Sequence, residues 1–132
     1  MFKKILHIGI AVENLEEAIK RYEALGLKCE GREEVPGERV RVAFFPVGES
    51  RIELLEPTSP DSAIAKFIEK RGLGIHHLCL EASDLTKRME ELRKKGFHFV
   101  GEPIKGAHGV TAAFLHPKSM GGVLLELATT SS

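Results

Sequence analysis

The sequence predicts an α+β protein built from two tandem βαβββ modules. Two observations carry this prediction. The second half of the chain repeats the hydrophobic pattern of the first half at a spacing of seventy residues, and each half reads as a strand, a helix and three further strands. A chain of 132 residues is long enough for one domain with a substantial core. We therefore expect a single domain over residues 1–132, with internal repeats at about 1–60 and 70–132.

The repeat is visible without gaps over most of its length. Residues 7–15 fall on residues 77–85, and Gly26 falls on Gly96 in the same register. Few residues are identical, but the hydrophobic pattern agrees throughout. Duplication explains this agreement, and chance similarity between two ordinary βα units is the alternative.

Each element has a local signal. Alternating residues predict the first strand of each module, and Asn14 and Asp84 then provide helix caps. Helical spacing of apolar residues follows, and Gly26 and Gly96 are expected to end the two helices. The predicted strands are 5–12, 27–33, 39–46 and 51–56 in the first module, and 75–82, 97–101, 110–116 and 122–128 in the second. A short helix over 62–70 is expected to link the modules.

Composition excludes several classes of protein. Nineteen Lys and Arg balance nineteen Asp and Glu, so no basic excess favours a nucleic-acid partner. No apolar run approaches the roughly 20 residues of a membrane span. Cys29 and Cys79 lie fifty residues apart, which argues against a disulfide framework and favours a reducing compartment. We expect a cytoplasmic protein.

Strand alternation selects one histidine in each module. In the first strand, His7 shares a face with small residues, whereas the even-numbered residues from Leu6 to Val12 form the face that packs on helices. In the second module, His77 has the matching parity, and His76 falls on the helix-packing face. His77 is therefore the expected counterpart of His7.

Two glutamates recur in the same way. Glu53 and Glu126 lie within apolar strands at corresponding places in the two modules, and a carboxylate there needs a cation or several donors. If the modules are related by a pseudo-twofold axis, both glutamates converge with His7 and His77. Two imidazoles and two carboxylates suit a divalent ion such as cobalt, nickel, zinc or manganese. For any one of these residues alone, a surface position or an ion pair is the alternative.

Two glycine-containing loops offer further candidates. His108 lies in a Gly-Ala-His-Gly turn, and Lys118 and Ser119 precede a Gly-Gly pair before the last strand. We expect these three residues to contact a substrate, for example through the charge of Lys118 on a carboxylate or phosphate. Plain turn chemistry is the alternative for both loops.

The duplicated pattern with His7, Glu53, His77 and Glu126 resembles the vicinal oxygen chelate superfamily. Within it, the chain is similar over essentially its whole length to the methylmalonyl-CoA epimerase family. The segments that carry this similarity are residues 7–12, 45–48, 52–62, 74–77, 106–109, 114–119 and 121–127.

This resemblance implies a fold, an activity and a cofactor. The modules would pair into a cupped mixed β-sheet around one divalent metal, with Co²⁺ first and Mn²⁺, Ni²⁺, Zn²⁺ or Mg²⁺ as alternatives. The enzyme would interconvert the (2R) and (2S) forms of methylmalonyl-CoA by α-proton transfer through an enolate. His7, Glu53, His77 and Glu126 match the metal ligands, and Glu126 and Glu53 are the candidate acid and base.

The resemblance also leaves points open. Some relatives are proposed to use a second carboxylate, and the corresponding position here is expected to be Arg41. A homodimer is expected from resemblance alone. A glyoxalase I-type metalloenzyme is the alternative activity, although Ile8, Gly9 and Ile10 stand where an Arg would bind the glutathione adduct. A metal-free small-molecule-binding module is the alternative from another class.

Overall fold

The computed structural model describes residues 2–130, which contain eight strands and three α-helices. The first module comprises β1 (Phe2–Ala11), α1 (Leu15–Leu25), β2 (Gly31–Val35), β3 (Val40–Val47) and β4 (Ser50–Pro57). The second comprises β5 (Gly74–Ala82), α3 (Leu85–Lys94), β6 (Phe99–Lys105), β7 (Thr111–Leu115) and β8 (Leu125–Thr129). Helix α2 (Ala63–Arg71) connects them, as the sequence predicts.

The modules share one strand arrangement. In the first, β1 runs parallel to β4, and β4, β3 and β2 follow one another as antiparallel neighbours. In the second, β5 runs parallel to β8, and β8, β7 and β6 are antiparallel neighbours. The strand order is β2-β3-β4-β1 in the first module and β5-β8-β7-β6 in the second. The predicted tandem βαβββ architecture is therefore confirmed.

The chain divides into two compact units that do not coincide with the modules. The N-terminal unit contains residues 7–76, and the C-terminal unit contains residues 77–130 together with residues 2–6. Strand β1 is thus divided between the units at the Leu6–His7 bond.

Each unit packs one sheet face against its own helix. In the N-terminal unit, Leu15 and Ile19 of α1 pack with Phe45 and Leu54, both completely buried. In the C-terminal unit, Met89 of α3 belongs to the corresponding cluster, whose other buried members are Leu85, Ala113, Leu115, Leu125 and Leu127. The side chains of β3, β4, β7 and β8 that alternate with these point to the opposite face.

One predicted core contact differs. Val12 joins the α1 cluster as expected, but Leu6 does not. Leu6 packs instead with Cys79, Ala112 and Ala128 of the C-terminal unit. Residues 2–6 accordingly belong to that unit.

Glycine and proline explain the shifted boundaries of β6 and β8. Strand β6 continues to Lys105, beyond the predicted end, and its pairing shifts between Val100 and Ile104. Gly101 has a positive φ of 67° there, as expected at an irregularity in a strand. Strand β8 begins only at Leu125, because the preceding segment forms a 3-10 turn over Pro117–Met120 and two glycines with positive φ.

The cap of α1 provides a stability test. The side chain of Asn14 accepts a hydrogen bond of 3.0 Å from the Glu17 N–H. Asn14→Ala should lower the free energy of unfolding by about 1 kcal/mol, because it leaves that N–H without its acceptor. Urea unfolding measures this loss. Asn14→Asp keeps the acceptor and should stay within about 0.5 kcal/mol of the parent; equal losses in both variants would contradict the cap.

Among residues 2–130, no helix combines the length and the apolar character that a membrane span requires.

Candidate active site

A buried His–Glu pair lies in the N-terminal unit. His7 of β1 and Glu53 of β4 approach with Nδ1 and Oε2 3.2 Å apart, and both side chains are less than one-tenth exposed. The parallel β1–β4 ladder sets this contact, because Gly9 is the Cα partner of Glu53 and His7 is the partner of Arg51. The two side chains therefore meet on the sheet face opposite α1.

Arg51 extends this pair. Its Nε donates to Oε2 of Glu53 at 2.8 Å, and its side chain is 21% exposed. The guanidinium carbon lies 5.5 Å from the centre of the Phe44 ring, and Phe44 is the Cα partner of Glu53 across β3 and β4. The same carboxylate oxygen, Oε2 of Glu53, therefore lies close to both Arg51 and His7.

The C-terminal unit repeats the pair. His77 of β5 and Glu126 of β8 approach with Nε2 and Oε1 3.1 Å apart, and both are buried. Phe114 contacts the His77 ring edge-on, with the centroids 5.5 Å apart. Cys79 is the Cα partner of Glu126.

The repetition holds at the level of strand register. Position 9 opposes Glu53 and position 79 opposes Glu126, and these positions are seventy residues apart. Phe44 opposes Glu53 and Phe114 opposes Glu126, again at the same spacing. A glutamate therefore lies opposite a phenylalanine at the same ladder position in both modules.

His76 and His77 occupy the faces that strand alternation predicts. His76 packs edge-on against Phe67 of α2, with the ring centroids 4.9 Å apart. His77 lies beside Glu126 instead. His77 is therefore placed to act together with a glutamate of its own unit.

The donor set fits a divalent cation. Each unit holds one imidazole and one carboxylate, buried together, and these are ligand types that divalent transition metals take. A buried carboxylate is costly without compensating positive charge or donors, which a divalent ion would provide.

The loop residues predicted to contact substrate differ in exposure and in hydrogen bonding. His108 is exposed in the Ala107–Gly109 turn and has a positive φ of 59°. The side chain of Lys118 is exposed, while its N–H donates to Nδ1 of His116 at 3.1 Å. The Ser119 hydroxyl accepts from the His98 N–H at 3.0 Å, so it also stabilises the loop.

Arg41 lies on a different sheet face from Glu53. Arg41 pairs with Glu56 at 3.3 Å, and Glu56 also accepts from the Leu15 N–H at the start of α1. Arg41 therefore lies on the α1 face, away from Glu53. The neighbouring β3 residue on the Glu53 face is Val42, which is 2% exposed.

Arg51 is a residue of this site that the sequence patterns did not indicate. It precedes Glu53 by two residues, so the alternation that places Glu53 also places Arg51 on the same face. That spacing was the available signal, but an arginine at the start of a strand ordinarily indicates exposure.

Comparison with known proteins extends these observations. Residues 6–114 match the model of the glyoxalase/bleomycin resistance protein/dioxygenase superfamily. The chain is 39% identical to human mitochondrial methylmalonyl-CoA epimerase over 127 residues, which cover 94% of this chain and 72% of that protein. It is also 39% identical to the ethylmalonyl-CoA/methylmalonyl-CoA epimerase of Cereibacter sphaeroides, covering 96% of this chain and 98% of that protein.

Solved structures agree with the sequence comparison. A variant of the Streptomyces coelicolor methylmalonyl-CoA epimerase in complex with 2-nitronate-propionyl-CoA superimposes with a TM-score of 0.94 at 35% identity. The match covers 100% of this chain and 97% of that one. The chain therefore belongs to the glyoxalase/bleomycin resistance protein/dioxygenase superfamily and, within it, to the methylmalonyl-CoA epimerase family.

Proposed function

We infer that this chain is an isomerase that interconverts (2R)- and (2S)-methylmalonyl-CoA. The observation that carries this inference is the similarity to two epimerases, at 39% identity over more than nine-tenths of the chain. The repeated burial of a histidine beside a glutamate is consistent with the chemistry, because the reaction requires charge stabilisation and proton transfer at one carbon.

We propose that His7, Glu53, His77 and Glu126 hold one divalent ion, with Co²⁺ as the first candidate and Mn²⁺, Ni²⁺, Zn²⁺ or Mg²⁺ as alternatives. His7, His77 and Glu126 are buried and are residues of metal-ligand type. Glu53 is included because of its contact with His7. Two neutral imidazoles and two carboxylates would balance a divalent charge, which favours binding in a buried site.

The substrate carries an acidic hydrogen on a carbon between a thioester and a carboxylate. The ion would act as a Lewis acid that stabilises the negative charge formed when this proton leaves. Glu126 is the first candidate to accept or return the proton, and Glu53 is the candidate for the other face of the planar carbon. One module would thus supply the carboxylate for proton transfer on one face of the carbon, and the other module the carboxylate for the opposite face.

Three loop residues are proposed to bind the rest of the substrate. The exposed side chain of Lys118 can meet a phosphate of coenzyme A, and His108 is also exposed. Ser119, which already accepts the His98 N–H, can still donate its own hydroxyl hydrogen.

Three broader expectations remain proposals. We propose that both units act as one domain, that the chain forms a homodimer, and that it works in the cytoplasm. Within residues 2–130, neither Cys29 nor Cys79 takes part in a disulfide, which suits a reducing compartment. Sedimentation velocity on the purified protein measures the oligomeric state, and a monomer at micromolar concentration would contradict the dimer.

The test of function combines metal analysis with proton exchange. Purified protein loaded with Co²⁺ should bind one ion per chain and exchange the α-proton of methylmalonyl-CoA with deuterated water, as followed by proton NMR. Removal of the ion with a chelator should abolish exchange, and added Co²⁺ should restore it. Metal-loaded protein that leaves the α-proton unexchanged would overturn the proposal.

A further inference from the structure

Arg51 has more hydrogen-bond donors than its contact with Glu53 uses. Nε, which donates to Glu53, is the one side-chain nitrogen of Arg51 with a hydrogen bond to any residue between 2 and 130. The two terminal nitrogens carry four further N–H donors. A guanidinium fixed through Nε therefore presents its terminal donors to another acceptor.

The orientation of Arg51 is fixed from two sides. Glu53, itself 6% exposed, holds Nε, and the Phe44 ring lies under the guanidinium at 5.5 Å. Cation–π contact and a charged hydrogen bond restrict both the position and the plane of the group. Such a preorganised arginine loses little conformational freedom when it binds an anion.

The position of Arg51 borders the proposed reaction site. Arg51 is the Cα partner of His7 and shares its sheet face with Glu53. Its side chain is 21% exposed, so an entering ligand can reach it while water has limited access. Charge points the same way, since the proposed neutral set of ion and ligands leaves Arg51 as an added positive charge.

We propose that Arg51 binds the free carboxylate of the substrate's acyl group and thereby selects malonyl-type thioesters over those without a carboxylate. Planar guanidinium groups bind carboxylates through two parallel hydrogen bonds. This inference rests on the proposed function, because the carboxylate in question belongs to methylmalonyl-CoA. It makes Arg51 a specificity-determining residue in addition to a support for Glu53.

The test removes the carboxylate from the ligand and the guanidinium from the protein in turn. Titration calorimetry on Co²⁺-loaded protein compares methylmalonyl-CoA, as the equilibrium mixture of epimers, with propionyl-CoA, which lacks the carboxylate. Arg51→Met should weaken methylmalonyl-CoA binding about ten- to a hundred-fold, the usual effect of losing hydrogen bonds to a charged group. Propionyl-CoA binding should change less than about two-fold.

Two further variants keep the experiment decisive. Arg41→Met is the matched control, since Arg41 lies on the opposite face and should leave both affinities unchanged. If Arg51→Met does not fold, Arg51→Lys keeps the charge without the planar fork and should still bind methylmalonyl-CoA selectively more weakly. The visible spectrum of bound Co²⁺ establishes that each variant is loaded before titration.

The outcomes separate the two proposals. Equal weakening of both ligands would mean that Arg51 serves coenzyme A or the general shape of the site, and no weakening would mean that it contacts neither. Either result overturns the role of Arg51 and leaves the epimerase proposal intact. Loss of proton exchange in the metal-loaded parent would instead overturn the proposed function, whichever ligands bind.

Discussion

Metal-saturated Glu126→Gln should exchange the α-proton of methylmalonyl-CoA about 10²–10⁴ times more slowly than the parent, the usual cost of losing one general acid or base. Glutamine still offers an oxygen ligand at this position, but it cannot accept a proton. Proton NMR in deuterated water measures the residual exchange. The variant should therefore retain Co²⁺, with at most a weaker affinity, while proton transfer fails.

A second buried glutamate of the same unit provides the control. Glu81 of β5 is 8% exposed, and it accepts a hydrogen bond of 2.5 Å from the Thr130 hydroxyl. Glu81→Gln makes the same chemical change in a carboxylate outside the proposed ligand set, and it should keep exchange within about three-fold of the parent. If Glu126→Gln also exchanged protons within a few-fold of the parent, Glu126 would be a ligand alone, and the base would be Glu53 or a bound water.

His77→Ala should lose Co²⁺ affinity by more than about a hundred-fold, since even residues that only orient metal ligands contribute up to that factor. Proton exchange should be lost with the metal. The physical reason is the loss of an imidazole that is buried beside Glu126. Titration of apoprotein with Co²⁺, followed by its visible absorption, gives the affinity independently of activity.

The adjacent histidine is the matched control for this experiment. His76→Ala removes an edge-on contact with Phe67 and should reduce stability without releasing Co²⁺. The two variants differ by one position on one strand, so they test the assignment of strand faces directly. If His76→Ala lost the metal and His77→Ala kept it, the alternation argument would be wrong.

Elements with strong local chemistry were predictable. Asn14 accepts the Glu17 N–H, and Gly26 takes the left-handed conformation with φ of 116°, so the bounds of α1 follow from residues next to it in sequence. The different faces of His76 and His77 were also predictable, because alternation is a property of the backbone. These features need no knowledge of distant contacts.

Contacts across strands were harder to predict. The first predicted strand after α1 was placed at 27–33, but β2 begins at Gly31. Leu27 and Cys29 pack against the α1 cluster ahead of the ladder, so burial there gave an apolar pattern without strand pairing. Predicting the hydrogen bond between Arg51 and Glu53 would have required the rotamers of both side chains. Predicting the face of Arg41 relative to Glu53 would have required the register of β3 on β4. Sequence periodicity determines neither.

The division of β1 at the Leu6–His7 bond bears on the history of the chain. Copies that arise by gene duplication could later separate only if each kept all the strands that fill its own core. Here Leu6 fills the core of the unit that contains Cys79, while His7, the next residue, belongs to the other unit. A gene broken between the copies would therefore deprive one protein product of part of its interior. The two copies have diverged in sequence, as Arg51 in one and Leu124 at the matching position in the other illustrate.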